Sequence, residues 1–158
     1  MDILGQEKAT IRVYRASAIY VAVFYGLLVL WTVGTVPLIW QRFAQGVFRG
    51  DWLYAFMIGF FYLYTWFWSL GLVSRISIDA EGRIEMKSIR RTLVITAKEV
   101  RSIEGSRFSG GFGFIRFKVP RESVYLFCYR RDTDLDEVLR EIRRVNPLVG
   151  IARIEMGK

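Results

Sequence analysis

The sequence contains no histidine and a single cysteine, Cys128. Without histidine there is no imidazole base, no histidine-ligated metal and no histidine-ligated haem. One thiol can form neither an intrachain disulfide nor a thiolate metal cluster. Charge is missing from two long stretches, residues 16–40 and 52–74. The 23 basic and 15 acidic residues all lie outside them. The absent residue types remove the common catalytic and metal-binding constellations, and no motif fixes a reaction. The expectation is a protein that binds and positions, not an enzyme, with no cofactor and no metal.

What is present in those stretches is apolar and aromatic. A membrane-spanning helix needs about 20 apolar residues, and both runs exceed that. A secretory signal peptide is the competing reading of the first run. Its apolar stretch is too long, and no small-residue cleavage site leads into a soluble chain. The short connection, residues 41–51, makes the two helices antiparallel neighbours. The flank before the first carries Lys8, Arg12 and Arg15, and the flank after the second carries Arg75, Arg83, Lys87, Arg90 and Arg91. The connection carries only Arg42 and Arg49. Positive charge favours the cytoplasmic side, so both termini are expected in the cytoplasm. The net charge of +8 then reports topology before any polyanionic partner.

Neither run holds an ionisable acid or base, which argues against a transporter, channel or pump acting alone. Trp40 and Trp52 suit the outer interface, and Trp66 and Trp68 lie toward the inner one. The second run is also crowded with aromatics in its middle, including Phe60, Phe61 and Tyr62. These are either bulk facing lipid or a packing surface for neighbouring helices or pigment-like groups. Tyr62 and Tyr64 carry hydroxyls that lipid tails cannot satisfy, which favours a protein neighbour. Ala18, Ala22 and Gly26 repeat every four residues and so share one face, where small side chains allow close helix approach. That face could serve an outside partner or the hairpin's own contact. Pro37 is expected to kink the first helix.

From Arg75 the periodicity changes to two, the mark of strands. Six short strands are expected: around Ile76 and Ile78, over 83–87, over 92–96, over 100–104, around Ile115–Val119, and around Val124–Tyr129. One helix follows. Asp134 and Glu137 read as a capping box, and Leu135, Val138, Leu139, Ile142 and Val145 form an apolar stripe. Asn146-Pro147 ends it. Asp134 and Asp136 are read as charges favoured at a helix start, not as an acid–base pair. Cys128 shares its face with Val124 and Leu126 and is read as a small core residue.

The stretch Ser123-Val124-Tyr125-Leu126-Phe127, leading to the helix that ends at Asn146-Pro147, resembles the bacterial pleckstrin-homology-like domains, which are commonly attached to short transmembrane hairpins. The resemblance covers about residues 75–149. It implies a small antiparallel barrel or sheet capped by a C-terminal helix and used for binding. Lys87, Arg90 and Arg91 roughly occupy the region where lipid-binding relatives carry a basic cluster.

The segment 110–117, GGFGFIRF, nearly fits the octapeptide of RNA-recognition motifs. That fold interleaves two helices with four strands, whereas one terminal helix is expected here, so nucleic acid is not an expected partner. No Gly-Lys-Ser/Thr follows the glycines, so they form no phosphate loop. The segment reads as a flexible loop entering a strand, or as a loop whose Phe108 and Phe112, beside Arg107, touch the bilayer or a partner.

The organisation expected is an N-terminal flank (1–15), a transmembrane hairpin (16–74), a cytoplasmic domain (75–149) and a tail (150–158). The function expected is a non-catalytic accessory or scaffold subunit of a larger inner-membrane complex. Its partner-contact residues are Ala18, Ala22, Gly26, Tyr62, Tyr64, Phe108 and Phe112. The alternative is an adaptor that reads anionic lipid headgroups through Lys87, Arg90, Arg91 and Arg107.

Overall fold

The computed structural model describes residues 12–46, 52–106, 112–129 and 132–154. The chain forms two compact units, Ser17–Leu70 and a sheet unit built from the chain on either side of it.

The first unit is a pair of helices, α1 (Ala18–Ala44) and α2 (Trp52–Leu70). Both are long and apolar enough to cross a membrane. At 1.5 Å per residue they measure about 40 Å and about 28 Å. α1 runs past Trp40 and takes Gln41 and Arg42 into its last turns, with Pro37 inside it. α2 ends at Leu70, because Val73 and Ser74, expected in the span, already belong to a strand. Almost no side chain in either helix is buried within the chain. A core helix of a water-soluble domain would be mostly covered.

The helices meet through side chains that sequence periodicity does not single out. Tyr25 Oη–H donates to the Ser69 carbonyl at 2.7 Å. Trp66 Nε1–H donates to Thr32 Oγ1 at 3.1 Å, and Thr32 donates its own proton to the Leu28 carbonyl at 2.8 Å. Thr35 donates to the Trp31 carbonyl at 2.6 Å, so the Tyr62 hydroxyl, bonded to Thr35 Oγ1, is the donor of that pair. Trp31 stacks on Tyr62 with ring centroids 4.6 Å apart. Each polar group in this seam has a partner, as a seam without water requires.

The second unit, in its described residues, is an eight-stranded mixed sheet with one helix packed on it. Its strands are β1 (Arg12–Arg15), β2 (Val73–Ile78), β3 (Arg83–Ser88), β4 (Thr92–Thr96), β5 (Ser102–Gly105), β6 (Phe112–Lys118), β7 (Ser123–Tyr129) and β8 (Gly150–Ala152). The order is β4-β3-β2-β7-β6-β5-β8, with β1 paired to β2. The helix is α3 (Thr133–Val145).

Of barrel and sheet, the strands form an open sheet: its end strands β4 and β8 do not pair among the described residues. Three expectations are corrected. The sheet is not purely antiparallel, since β2–β7 and β5–β8 are parallel. The strand count is eight because two segments read as flank and tail take part: β1 pairs along β2, and β8 pairs along β5. Finally, α3 starts earlier than Asp134. Its cap is Asp132, whose carboxylate accepts from the Asp134 N–H at 3.0 Å. The capping box lies instead on a 3-10 turn, Ala97–Glu99, where Thr96 and Glu99 exchange hydrogen bonds.

β1 is short, and periodicity over four residues is a weak signal. What holds it is Tyr14, 1% exposed in the core. Its hydroxyl donates to the Phe127 carbonyl and accepts from the Tyr129 N–H, both at 3.4 Å. Burial pushes the Tyr14 phenol well above its usual range. In the same core, Leu135, Val138, Leu139 and Ile142 of α3 are buried with Tyr14 and with Ile76, Ile84, Ile103, Ile115, Phe117 and Leu126 of the sheet. Cys128 belongs to the same core. Asn146, at the end of α3, donates to the Ala97 and Val100 carbonyls at 3.0 Å each. That side chain ties the helix end to the 3-10 turn.

The two units are connected in a particular way. β1 and β2 are antiparallel neighbours, and their ladder continues until the Ala16 N–H bonds the Ser74 carbonyl at 2.8 Å. The chain from α1 through α2 is therefore an insertion between two paired strands, leaving and re-entering the sheet at adjacent points.

Candidate interaction surfaces

The outward faces of the hairpin are the first candidate surface. Ala18, Ala22 and Gly26 are exposed, and a Cβ added at Gly26 would meet nothing within 4 Å. The small-residue face is therefore not the contact between α1 and α2. That contact uses Tyr25, Thr32 and Thr35 on another side of the helix.

Tyr62 and Tyr64 part company. Tyr62 faces the seam and is bonded to Thr35, so its hydroxyl supplies no reason for an outside partner. The missed signal was Thr32 and Thr35, which come opposite Trp66 and Tyr62 when the helices run antiparallel. Tyr64 faces outward, 57% exposed. Its ring stacks on Phe60 at 6.1 Å, and Phe60 stacks on Phe56 at 6.3 Å. Its hydroxyl has no hydrogen-bond partner among the described residues. An apolar groove of about 650 Å³ opens beside the seam between Trp31, Leu38, Tyr54 and Phe61.

The outer face of the sheet is the second candidate. Lys87 is exposed on β3. Arg90 sits in the β3–β4 turn, which the Ser88 hydroxyl closes by donating to the Arg91 carbonyl at 2.8 Å. Arg91 is ion-paired with Glu122, so it is partly neutralised. Arg107 and Phe108 lie outside the described residues. Phe112 opens β6, its backbone paired with Tyr129. The four basic residues thus do not assemble into one described cluster. Lys87 instead lies opposite Arg75 of β2, a residue that sequence reasoning used only as a marker of topology.

Several acidic groups on this unit are committed to local structure. The Glu99 carboxyl is held below its usual range by hydrogen bonds from the Thr96 N–H and hydroxyl. Glu104 is lowered by Lys118, 3.2 Å away. For Asp79, desolvation pushes upward, but the Arg83 N–H at 2.7 Å and its guanidinium at 3.0 Å outweigh it. Asp134 and Asp136 lie in the first turn of α3, where the helix dipole favours them.

No family model, curated protein or solved structure matches this chain. What stands is two long apolar N-terminal helices, then a mixed β-sheet carrying a C-terminal helix.

Proposed function

We propose that this chain is a non-catalytic accessory subunit of a larger bacterial inner-membrane complex, anchored by its helical hairpin and docking through the hairpin's outward faces. The sheet unit then acts as a pleckstrin-homology-like binding module on the cytoplasmic side, with both chain termini there. The excess of basic residues beside the helix ends over the short connection supports that orientation.

The observation that carries the reading is the division of polar groups in the hairpin. Tyr25, Thr32, Thr35, Tyr62 and Trp66 satisfy one another or nearby carbonyls inside the seam. Tyr64 does not, and it faces outward at the end of the Phe56–Phe60–Tyr64 ladder. A hydroxyl aimed at lipid tails is costly, and a neighbouring helix with an acceptor relieves it. The exposed small-residue face on α1 adds a place for close helix approach.

The test is purification of the tagged full chain from its native membrane in a mild detergent. The proposal expects stoichiometric co-purification of at least one other integral membrane protein. Migration as a lone monomer with no partner would sink it.

A further inference from the structure

The pairing register places three cations in one row. Arg15 of β1 lies opposite Arg75 of β2, and Arg75 lies opposite Lys87 of β3. Directly opposed residues on adjacent strands project from the same face. At about 4.8 Å per strand, the row spans about 10 Å. None of the three side chains has an ion pair or hydrogen bond among the described residues. Thr92 of β4 continues the row with a hydroxyl. The next row on this face is Val13, Ser77, Glu85 and Val94. Its one acid, Glu85, forms no ion pair with the cations.

A local irregularity builds the row. Val73 pairs with Ser88, but Arg75 pairs with Lys87, so two steps on β2 match one step on β3. This bulge lets Val73 face the core while Arg75 faces outward beside Lys87. Like charges directly opposite each other destabilise a sheet. A rule that only requires positive charge near the end of a spanning helix is met by any placement on the domain. It does not call for three cations aligned on adjacent strands.

Chain length bounds where the row can be. Arg15 is three residues before the start of α1, so the two Cα atoms stay within about 11 Å. Arg75 is five residues after the end of α2, at most about 18 Å. A cation this close to the end of a spanning helix lies in or beside the headgroup layer.

We propose that Arg15, Arg75 and Lys87 form a phosphate-binding row that holds anionic phospholipid headgroups of the membrane from which the hairpin emerges. This rests on reading α1 and α2 as membrane-spanning. The ligand chemistry is a phosphate monoanion brought alongside the strands, where one anion bridges two neighbouring cations and removes their repulsion. The bilayer surface is the source.

The experiment uses the full chain in a neutral detergent, with native mass spectrometry of bound lipid. The probes are phosphatidylglycerol, phosphatidylcholine and inorganic phosphate. The wild type is expected to retain phosphatidylglycerol over phosphatidylcholine and to lose it as salt rises. Each cation removed should weaken phosphatidylglycerol binding about fivefold, and R15Q/R75Q/K87Q together roughly a hundredfold. The control K98Q/R101Q/R121Q removes the same charge from exposed positions elsewhere and should change binding far less. Equal losses in the two triple variants would overturn the proposal, as would displacement of the lipid by an equal concentration of inorganic phosphate. Folding of the triple variant is checked by protection of the buried Cys128 thiol. If it is not folded, K87Q alone, at an exposed side chain, must still show the fivefold loss. A chain that stays in solution after detergent removal would contradict the membrane reading itself, a separate outcome from lipid binding that ignores the row.

Discussion

Truncation of one tyrosine should open the sheet unit from an end that lies before the hairpin in sequence. Tyr14 is the only fully buried side chain contributed by β1, and it bridges to β7 through the Phe127 carbonyl and the Tyr129 N–H. Truncating a buried aromatic side chain to alanine costs about 3–5 kcal/mol. A domain of this size has about 5–15 kcal/mol in total, so Tyr14→Ala removes a large share. Tryptophan fluorescence cannot report the effect, because Trp31, Trp40, Trp52, Trp66 and Trp68 all lie in the hairpin region of the sequence. Cys128 can, because it is the sole thiol and is buried on β7. Its labelling by a disulfide reagent follows the open population when reclosing is fast. Tyr14→Ala should therefore speed labelling about 150- to 5,000-fold. Tyr14→Phe keeps the ring and loses only two long hydrogen bonds, so it should cost about 1 kcal/mol, or about fivefold. Wild-type labelling rates in Tyr14→Ala would refute the assignment of β1 to the sheet. The same reasoning expects residues 75–158 expressed alone to label rapidly, since they lack both β1 and Tyr14.

Three further outcomes follow from particular contacts. Gly82 has φ of +80°, and an added Cβ would sit 2.7 Å from Val145 Cγ1; Gly82→Ala should destabilise the sheet unit by more than about 1 kcal/mol, read by the same thiol assay. The lowered carboxyls of Asp79, Glu99 and Glu104 give stability that is present above their ordinary range and lost as pH falls through it. The raised Tyr14 phenol gives stability that is full below about pH 10 and declines above it, where the unfolded tyrosine ionises. Circular dichroism across both limits checks these signs, and Tyr14→Phe should flatten the alkaline decline. Within the hairpin, a double-mutant cycle of Thr35→Val and Tyr62→Phe should give a coupling of about 0.6 kcal/mol in a bilayer-like medium. Zero coupling would mean that their hydroxyls do not bond across the seam.

How much of this was legible in the sequence depended on the range of the forces involved. The hairpin and the stripe on α3 were readable, because each is set by local periodicity and by charge-free length. The strands at 76–78, 83–87 and 92–96 were readable for the same reason. β1 was not, because Arg12–Arg15 gains its place from Tyr14 reaching residues more than a hundred positions away. β8 was not, because three residues carry no periodicity and pair only with β5. The row of Arg15, Arg75 and Lys87 was hidden for a further reason. It depends on register, and one bulge between Val73 and Arg75 decides it. Tyr62 and Tyr64 look equivalent in sequence, and only the position of Thr35 across the seam separates them.

Lateral docking through the hairpin's outward faces is read out by photo-crosslinking in the native membrane. A benzophenone amino acid is placed singly at Gly26, Phe60 or Tyr64, which face outward, and at Leu28, which lies on the seam side of α1. Protein adducts of one defined larger mass are expected from the outward positions and none from Leu28. Adducts with lipid alone from all three outward positions would contradict lateral docking.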